Sequence, residues 1–433
     1  MNWSIAKSTV KTALSAHAAM GLLASALLYL VCLSGTVLVL YDEWQRLEQP
    51  AAPEMASFAP GSVQRAMEEV LALEADGPTT THLYVHMPTA QLPRATVTTD
   101  TSAHHANADG SLVMPEENGW SEFLYDLHYT LNLPTLVGIT IVGALGAIML
   151  ALAFTGVLAM PRLFRDAFRL NARSSGGIAM ADWHNRLSVW TLPFTLAIAI
   201  TGAVIGLATV TAYAIAEVSY DGDVEAVYAT IFGAEAEGDP APAPLPDVAA
   251  ALGYMAAEHP DVAVTYAIVH DPLTAGQHVQ IVGEHHRRLI FGEYYAFDAA
   301  GNFHGTAGMA DGALGQQAAA SVYNLHFGNY GGLPVKLAYI LFGLALTAVC
   351  ATGTYIWLGK RRRRGMAEPR LTAAWHGVVW GTPAALVATL AARFVLGNEA
   401  PFTAIFWILL ALAVVLPVLR LTFGQPHQPP VTA

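Results

Sequence analysis

Charge is scarce in this chain. Only 12% of its 433 residues are Asp, Glu, Lys or Arg, against about 25% in a soluble globular domain, and the mean hydropathy is +0.42. A fold immersed wholly in water is not expected. Cysteine is scarcer still: Cys32 and Cys350 are the two present, and both fall inside apolar blocks, so neither a disulfide framework nor a thiolate metal cluster is expected. Dense positive charge is confined to the run Lys360 to Arg364, within a net charge of −12. Phosphate binding takes a broad basic patch, so nucleic acid is excluded as a partner. No Gly-x-Gly-x-x-Gly follows a strand-like run, which removes a dinucleotide-binding fold.

What the chain does have is long apolar blocks. Crossing about 30 Å of hydrocarbon takes about 20 helical residues. Six stretches qualify: Leu14 to Tyr41, Pro134 to Met160, Trp183 to Tyr213, Pro334 to Leu358, Ala373 to Leu396 and Pro401 to Leu419. The first is too long for a signal peptide, and no small-residue cleavage site precedes Tyr41-Asp42-Glu43-Trp44. Arg162, Arg165, Arg169 and Arg173 follow the second span, Lys360 to Arg364 and Arg370 follow the fourth, and Lys7 and Lys11 precede the first. The positive-inside rule then puts these loops and both termini in the cytoplasm, and a lipid bilayer around the spans.

The expected organisation is a helical bundle of about six transmembrane helices carrying two small α+β periplasmic domains. The first helix lies in 1–41, the first exterior domain in 42–133, helices two and three with a basic loop in 134–213, and the second exterior domain in 214–333. Helix four covers 334–358, a basic loop 359–372, helices five and six 373–420, and a cytoplasmic tail 421–433. Each exterior segment reads as one helix followed by strands. In the first, a helix near Ser62 to Glu74 precedes strands near Thr81 to Met87, Arg94 to Thr99 and Ser111 to Met114. In the second, a Pro-rich linker leads to a helix near Asp247 to Glu258 and strands near Val262 to His270, Gln277 to Gly283 and Leu289 to Phe297.

The chain also contains an internal duplication. His17 lies 18 residues before Gly35, and His184 lies 18 residues before Gly202. Eighteen residues make five helical turns, so each His shares a face with its Gly, about 27 Å along the axis. The even spans repeat too: Leu127-His128 precedes Pro134 and Gly143, Leu325-His326 precedes Pro334 and Gly343, and the spans end in Thr155-Gly156 and Thr352-Gly353. The repeating unit is span, exterior domain, span.

Packing two such units about an axis along the membrane normal faces His17 with His184 at the cytoplasmic side and His128 with His326 at the exterior side. Two stacked imidazole pairs in a four-helix interior suit bis-imidazole ligation of haem iron, with Gly35 and Gly202 letting the exterior porphyrin approach the backbone. Taken singly, an interfacial His is an anchor; four at repeat-related positions with matched glycines point to two haem b groups. They are noncovalent, because no Cys-x-x-Cys-His occurs. His376, in Trp375-His376, echoes Trp183-His184 but has Phe394 where the pattern requires Gly. It is an anchor of span five or an alternative cytoplasmic-side ligand. The exterior-domain histidines are expected to be solvated, and His285-His286-Arg287-Arg288 is a small basic patch suited to an anion.

With these residues in view the chain resembles the PepSY-associated transmembrane family, and within it the haem-containing ferric-siderophore reductases of bacterial inner membranes. The matching pieces are Ser15-Ala16-His17 through Ser34-Gly35, Leu127-His128, Trp183-His184-Asn185-Arg186-Leu187 through Thr201-Gly202, and Leu325-His326-Phe327-Gly328 through Trp357. The resemblance implies PepSY-like exterior domains, haem b, and electron delivery to a ferric siderophore in the periplasm for iron uptake, from a quinol or a cytoplasmic reductase. The simplest members stop after four spans; the pair after Arg370 is additional. The other functions compatible with the sequence are a membrane-anchored PepSY-domain binding or regulatory protein without redox activity, and a transporter with the His pairs as relays.

Overall fold

The computed structural model describes residues 6–160, 162, 177–233, 238–286 and 288–423. Arg165, Arg169 and Arg173 of the first basic loop, Arg287 of the basic patch and most of the expected tail lie outside the described residues. The chain divides into two compact units.

The first unit comprises Met1–Val39, Gly119–Leu207 and Gly331–Ala433 and is helical. Its elements are α1 (Lys7–Leu38), and, after the residues of the other unit, α4 (Gly119–Tyr129), α5 (Thr135–Ala159), α6 (Gly177–Trp190), the first part of α7 (Leu192–Ser219), α11 (Gly332–Arg363), α12 (Pro369–Leu396) and α13 (Phe402–Phe423). Six of these helices, α1, α5, α7, α11, α12 and α13, are long and apolar enough to cross a membrane. Large apolar side chains on their outer surface stay uncovered, Leu23 at 85% exposure among them, as hydrocarbon surroundings require. The chain is a multi-pass membrane protein.

Two expectations are corrected here. The stretch Trp183 to Tyr213 is not one helix but α6 and α7, separated at Thr191; Pro193 has no N–H to give and its ring crowds the carbonyl four residues earlier. The segment ahead of the second span is also a helix of its own, α4, grouped with the spans rather than with the exterior domain. The reversal between α4 and α5 uses left-handed backbone at Leu131 (φ 56°) and Asn132 (φ 54°) before Pro134 caps α5.

Inside this unit Ala24, Leu28, Val31 and Cys32 of α1 pack with Leu145 and Met149 of α5, Ala199 of α7 and Leu346 of α11. Helices α5 and α7 meet at Gly143 and Gly206, where a Cβ on either would come within 2.6 Å of the other's backbone, the close approach that small residues permit in membranes. The additional pair, α12 and α13, is tied in through both helices: Phe123 of α4 packs on Phe402 and Phe406 of α13, and α12 makes three hydrogen bonds. Tyr29 donates to the Val379 carbonyl at 2.8 Å, Trp375 to that of Ala351 at 3.1 Å, and Trp120 of α4 to Thr389 at 3.0 Å. Each satisfies a polar group that would otherwise be buried without a partner at a cost of about 1–3 kcal/mol.

The second unit, Leu40–Asn118 and Ala208–Tyr330, holds α2 (Tyr41–Glu48), α3 (Pro60–Leu73), β1 (His82–His86), β2 (Ala95–Thr98), β3 (Ala103–Ala106), β4 (Leu112–Pro115), the end of α7, α8 (Val224–Phe232), α9 (Val248–Glu258), β5 (Val262–His270), β6 (His278–His285), β7 (Glu293–Phe297), β8 (Phe303–Thr306) and α10 (Leu314–Phe327). The two segments do not make separate sheets. They share one eight-stranded antiparallel sheet in the order β4-β3-β2-β1-β5-β6-β7-β8, joined where Tyr84 pairs with Ile268 and Val85 with Ala267. A four-stranded half would leave β1 or β5 as an unpaired edge; pairing them removes both.

The duplication is explicit in the core. Helix α3 buries Val63, Ala66, Met67 and Val70, and α9 buries Val248, Ala251, Leu252 and Met255, the same i, i+3, i+4, i+7 stripe twice. Both stripes lie on Leu83 and Val85 of β1, Val97 of β2, Ala267 and Val269 of β5, and Val279 and Ile281 of β6. Asp247 caps α9 by accepting from the Ala250 N–H at 2.8 Å.

Candidate functional site

His17 sits in the first half of α1 and His184 in α6, and the first unit brings their rings together. Their ring centres are 6.5 Å apart with planes at 81°. Each ring is held in the same way. The Nδ1–H of His17 donates to the Leu152 carbonyl of α5 at 3.0 Å, with the Thr155 hydroxyl 3.3 Å away. That of His184 donates to the Thr352 hydroxyl of α11 at 3.0 Å. The roles of the hydroxyls are fixed because Thr155 and Thr352 give their own hydrogens to the carbonyls of Ala151 and Ala348, both at 2.7 Å. With Nδ1 protonated, the lone pair of a neutral imidazole is on Nε2, the arrangement in which histidines ligate metals.

The Thr-Gly pairs that close the even spans are the seats of these rings. A Cβ on Gly156 would lie 3.3 Å from Cε1 of His17, and one on Gly353 would lie 3.5 Å from Cε1 of His184. Sequence reasoning noticed both pairs and gave them no role, since nothing along the chain connects Gly156 to a residue 139 positions earlier.

His128, near the end of α4, occupies a third seat of this kind. Its Nδ1 donates to the Val31 carbonyl of α1 at 3.0 Å and is 3.3 Å from the Ser34 hydroxyl. Its ring lies on Gly35, where a Cβ would stand 2.6 Å from Cε1. Gly35 is therefore a notch for an imidazole. Gly202 is half-buried within α7. His326 belongs to the second unit, one residue before the end of α10, half-buried with its ring 5.9 Å from that of Phe327. His376 is exposed on α12 and lies 5.3 Å from Tyr355, ring to ring, while His17 and His184 face each other.

In the second unit the expectation of solvated histidines fails at several positions. His105 is 2% exposed; its Nε2–H donates to Gln49 at 2.9 Å and its Nδ1 accepts from Thr96 at 3.2 Å. Burial, with Arg94 adding to it, pushes its pKa down to about 4. His82, His270 and His278 form a row across three adjacent strands, with ring centres 5.7 and 4.5 Å apart. Of the basic patch, His285 is engaged by the Tyr295 hydroxyl at 3.0 Å. Among the described residues, no three His, Cys, Asp or Glu side chains converge on a common metal position. An iron held through a macrocycle needs only two.

The chain belongs to the PepSY-associated transmembrane family, whose "PepSY-associated TM region" matches residues 14–360. That stretch runs from α1 nearly to the end of α11 and leaves α12 and α13 beyond it. An uncharacterized protein of Pseudomonas aeruginosa, PA4219, is 28% identical over 271 residues, 58% of this chain. The match spans 66% of that relative's length, just under two thirds.

Proposed function

We propose that the protein is a dihaem electron-transfer protein of the bacterial inner membrane, its termini cytoplasmic, that reduces ferric siderophores on the periplasmic side and releases Fe(II) for uptake. The His17–His184 pair carries this reading. Imidazoles on opposite sides of one metal, each bonded at about 2 Å, have ring centres about 6.3 Å apart; the separation of 6.5 Å fits that span. The two Nδ1–H bonds support it further, since they hold the rings turned with Nε2 basic.

Haem iron, when bound, carries one electron at a time between its ferric and ferrous states. His17 and His184 would hold one haem b, and on the sequence repeat alone His128 and His326 would hold a second. Leu152, Thr155 and Thr352 keep the first pair of rings oriented, and Gly35 seats His128. Reduction is productive because hard oxygen chelators hold Fe(III) far more tightly than Fe(II). The electron donor in this reading is a membrane quinol or a cytoplasmic reductase.

The pyridine haemochrome assay on purified protein tests the cofactor, with two b-type haems per chain expected; a ratio near one or a c-type spectrum contradicts it. Reduced protein in oriented vesicles tests the activity. Ferric siderophore added to the periplasmic side should reoxidise it, with a ferrous chelator trapping the product. Oxidation by quinone but not by ferric chelates overturns the reductase assignment.

A further inference from the structure

Cys32 and Cys350 are the whole cysteine complement of the chain, and the fold puts them in contact. Their Sγ atoms are 3.8 Å apart between α1 and α11, both thiols free, Cys32 buried and Cys350 half-buried. For the only two cysteines among 433 residues to meet is a coincidence that packing alone does not call for.

Their neighbours make the position informative. Cys32 follows Val31, whose carbonyl accepts from His128, and precedes Gly35 by one turn. Cys350 lies two residues before Thr352, whose hydroxyl holds His184. The pair thus sits between two histidine seats, on the helices that build them.

We propose that Cys32 and Cys350 form a reversible disulfide that locks α1 to α11, with a lipid-soluble quinone as the oxidant. Both S–H bonds break and one S–S bond forms; the quinone takes the two electrons and two protons and leaves as quinol. The sulfurs must approach to about 2.05 Å, a small movement from van der Waals contact. A quinone shares the hydrocarbon with the thiols and accepts protons with electrons. The bond fixes the helix separation beneath the seats of His128 and His184, so the redox state of the quinone pool acts on the geometry of both. This modification does not depend on what the histidines hold.

The test uses full-length, pre-reduced protein in liposomes, treated anaerobically with a short-chain benzoquinone, then denatured and alkylated for peptide mass spectrometry. The expected result is loss of both alkylated peptides and recovery of a Cys32–Cys350 cross-linked pair lighter by two hydrogens than the dithiol, reversed by dithiothreitol. In Cys32→Ser or Cys350→Ser the remaining thiol stays alkylatable. Two alkylated cysteines in the quinone-treated wild type, or a cross-link between separate chains, overturns the proposal. The wild-type measurement decides it alone if either variant fails to fold.

Discussion

The two units express one duplication in different currencies. In the sheet unit the halves fuse: β1 pairs with β5, and two identical helical stripes close a single core. In the helical unit the repeated histidines do not pack into a core. His17 and His184 are half-buried, each fixed at Nδ1 and set on a glycine, with the second nitrogen left basic. His105 of the sheet unit is more deeply buried than either, yet both of its nitrogens are engaged within the fold. Burial does not separate a proposed ligand from a structural histidine. The separating feature is whether one nitrogen is held and the other is kept available.

The largest effect that can break this contrast comes from a glycine seat. Gly35→Leu should abolish the low-spin haem signal assigned to the His128 site, because its first added carbon already falls 2.6 Å from the ring. Alanine replacements sharpen the point by grading it. Gly35→Ala should cost the most haem occupancy, at an overpacking penalty of about 1–3 kcal/mol. Gly156→Ala, at 3.3 Å, should cost less, and Gly353→Ala, at 3.5 Å, least. Haem content of purified variants measures the order; a flat series removes the seats from the account.

Next in size is the independence of the sheet core. Met67→Ala empties a fully buried position and should destabilise that unit by about 2–5 kcal/mol while the haem spectrum of folded protein stays unchanged. Denaturant unfolding followed by a sheet-specific probe and by haem absorbance tests both halves of the statement.

A comparable effect, confined to acid pH, comes from His105. The folded state holds His105 neutral with a pKa near 4, below the ordinary value of about 6.5, so the unfolded chain binds more protons in between. The contribution is complete above about pH 6.5 and is lost as pH falls toward 4, on the order of 3 kcal/mol. His105→Gln should flatten that slope in unfolding measurements from pH 7 to pH 4, whereas His304→Gln, at an exposed position, should leave it in place.

Much of this was legible in the sequence where the signal is periodic. The six spans follow from length and apolarity, and the stripes at Val63 to Val70 and Val248 to Met255 from helical spacing. Of the four strands of four residues, β3 with its Ala-His-His-Ala and β8 with Gly305 are too poor in β-branched residues to announce themselves. The joining of the halves escaped notice because hydrogen bonding between β1 and β5 is a property of edges, which no pattern within either strand encodes. At the site, the histidines were found by repetition. The role of Gly156 and Gly353 as glycine seats escaped notice for a different reason: helical phase gives a face and not what lies on it.

The most direct test of the central claim is electron paramagnetic resonance of the oxidised protein, compared among wild type, His17→Ala, His184→Ala and His376→Ala. Rings crossed at 81° predict a strongly anisotropic low-spin ferric signal that disappears with either His17 or His184 and persists without His376. A signal that survives both of the first two replacements, or that vanishes with His376 instead, contradicts the pair.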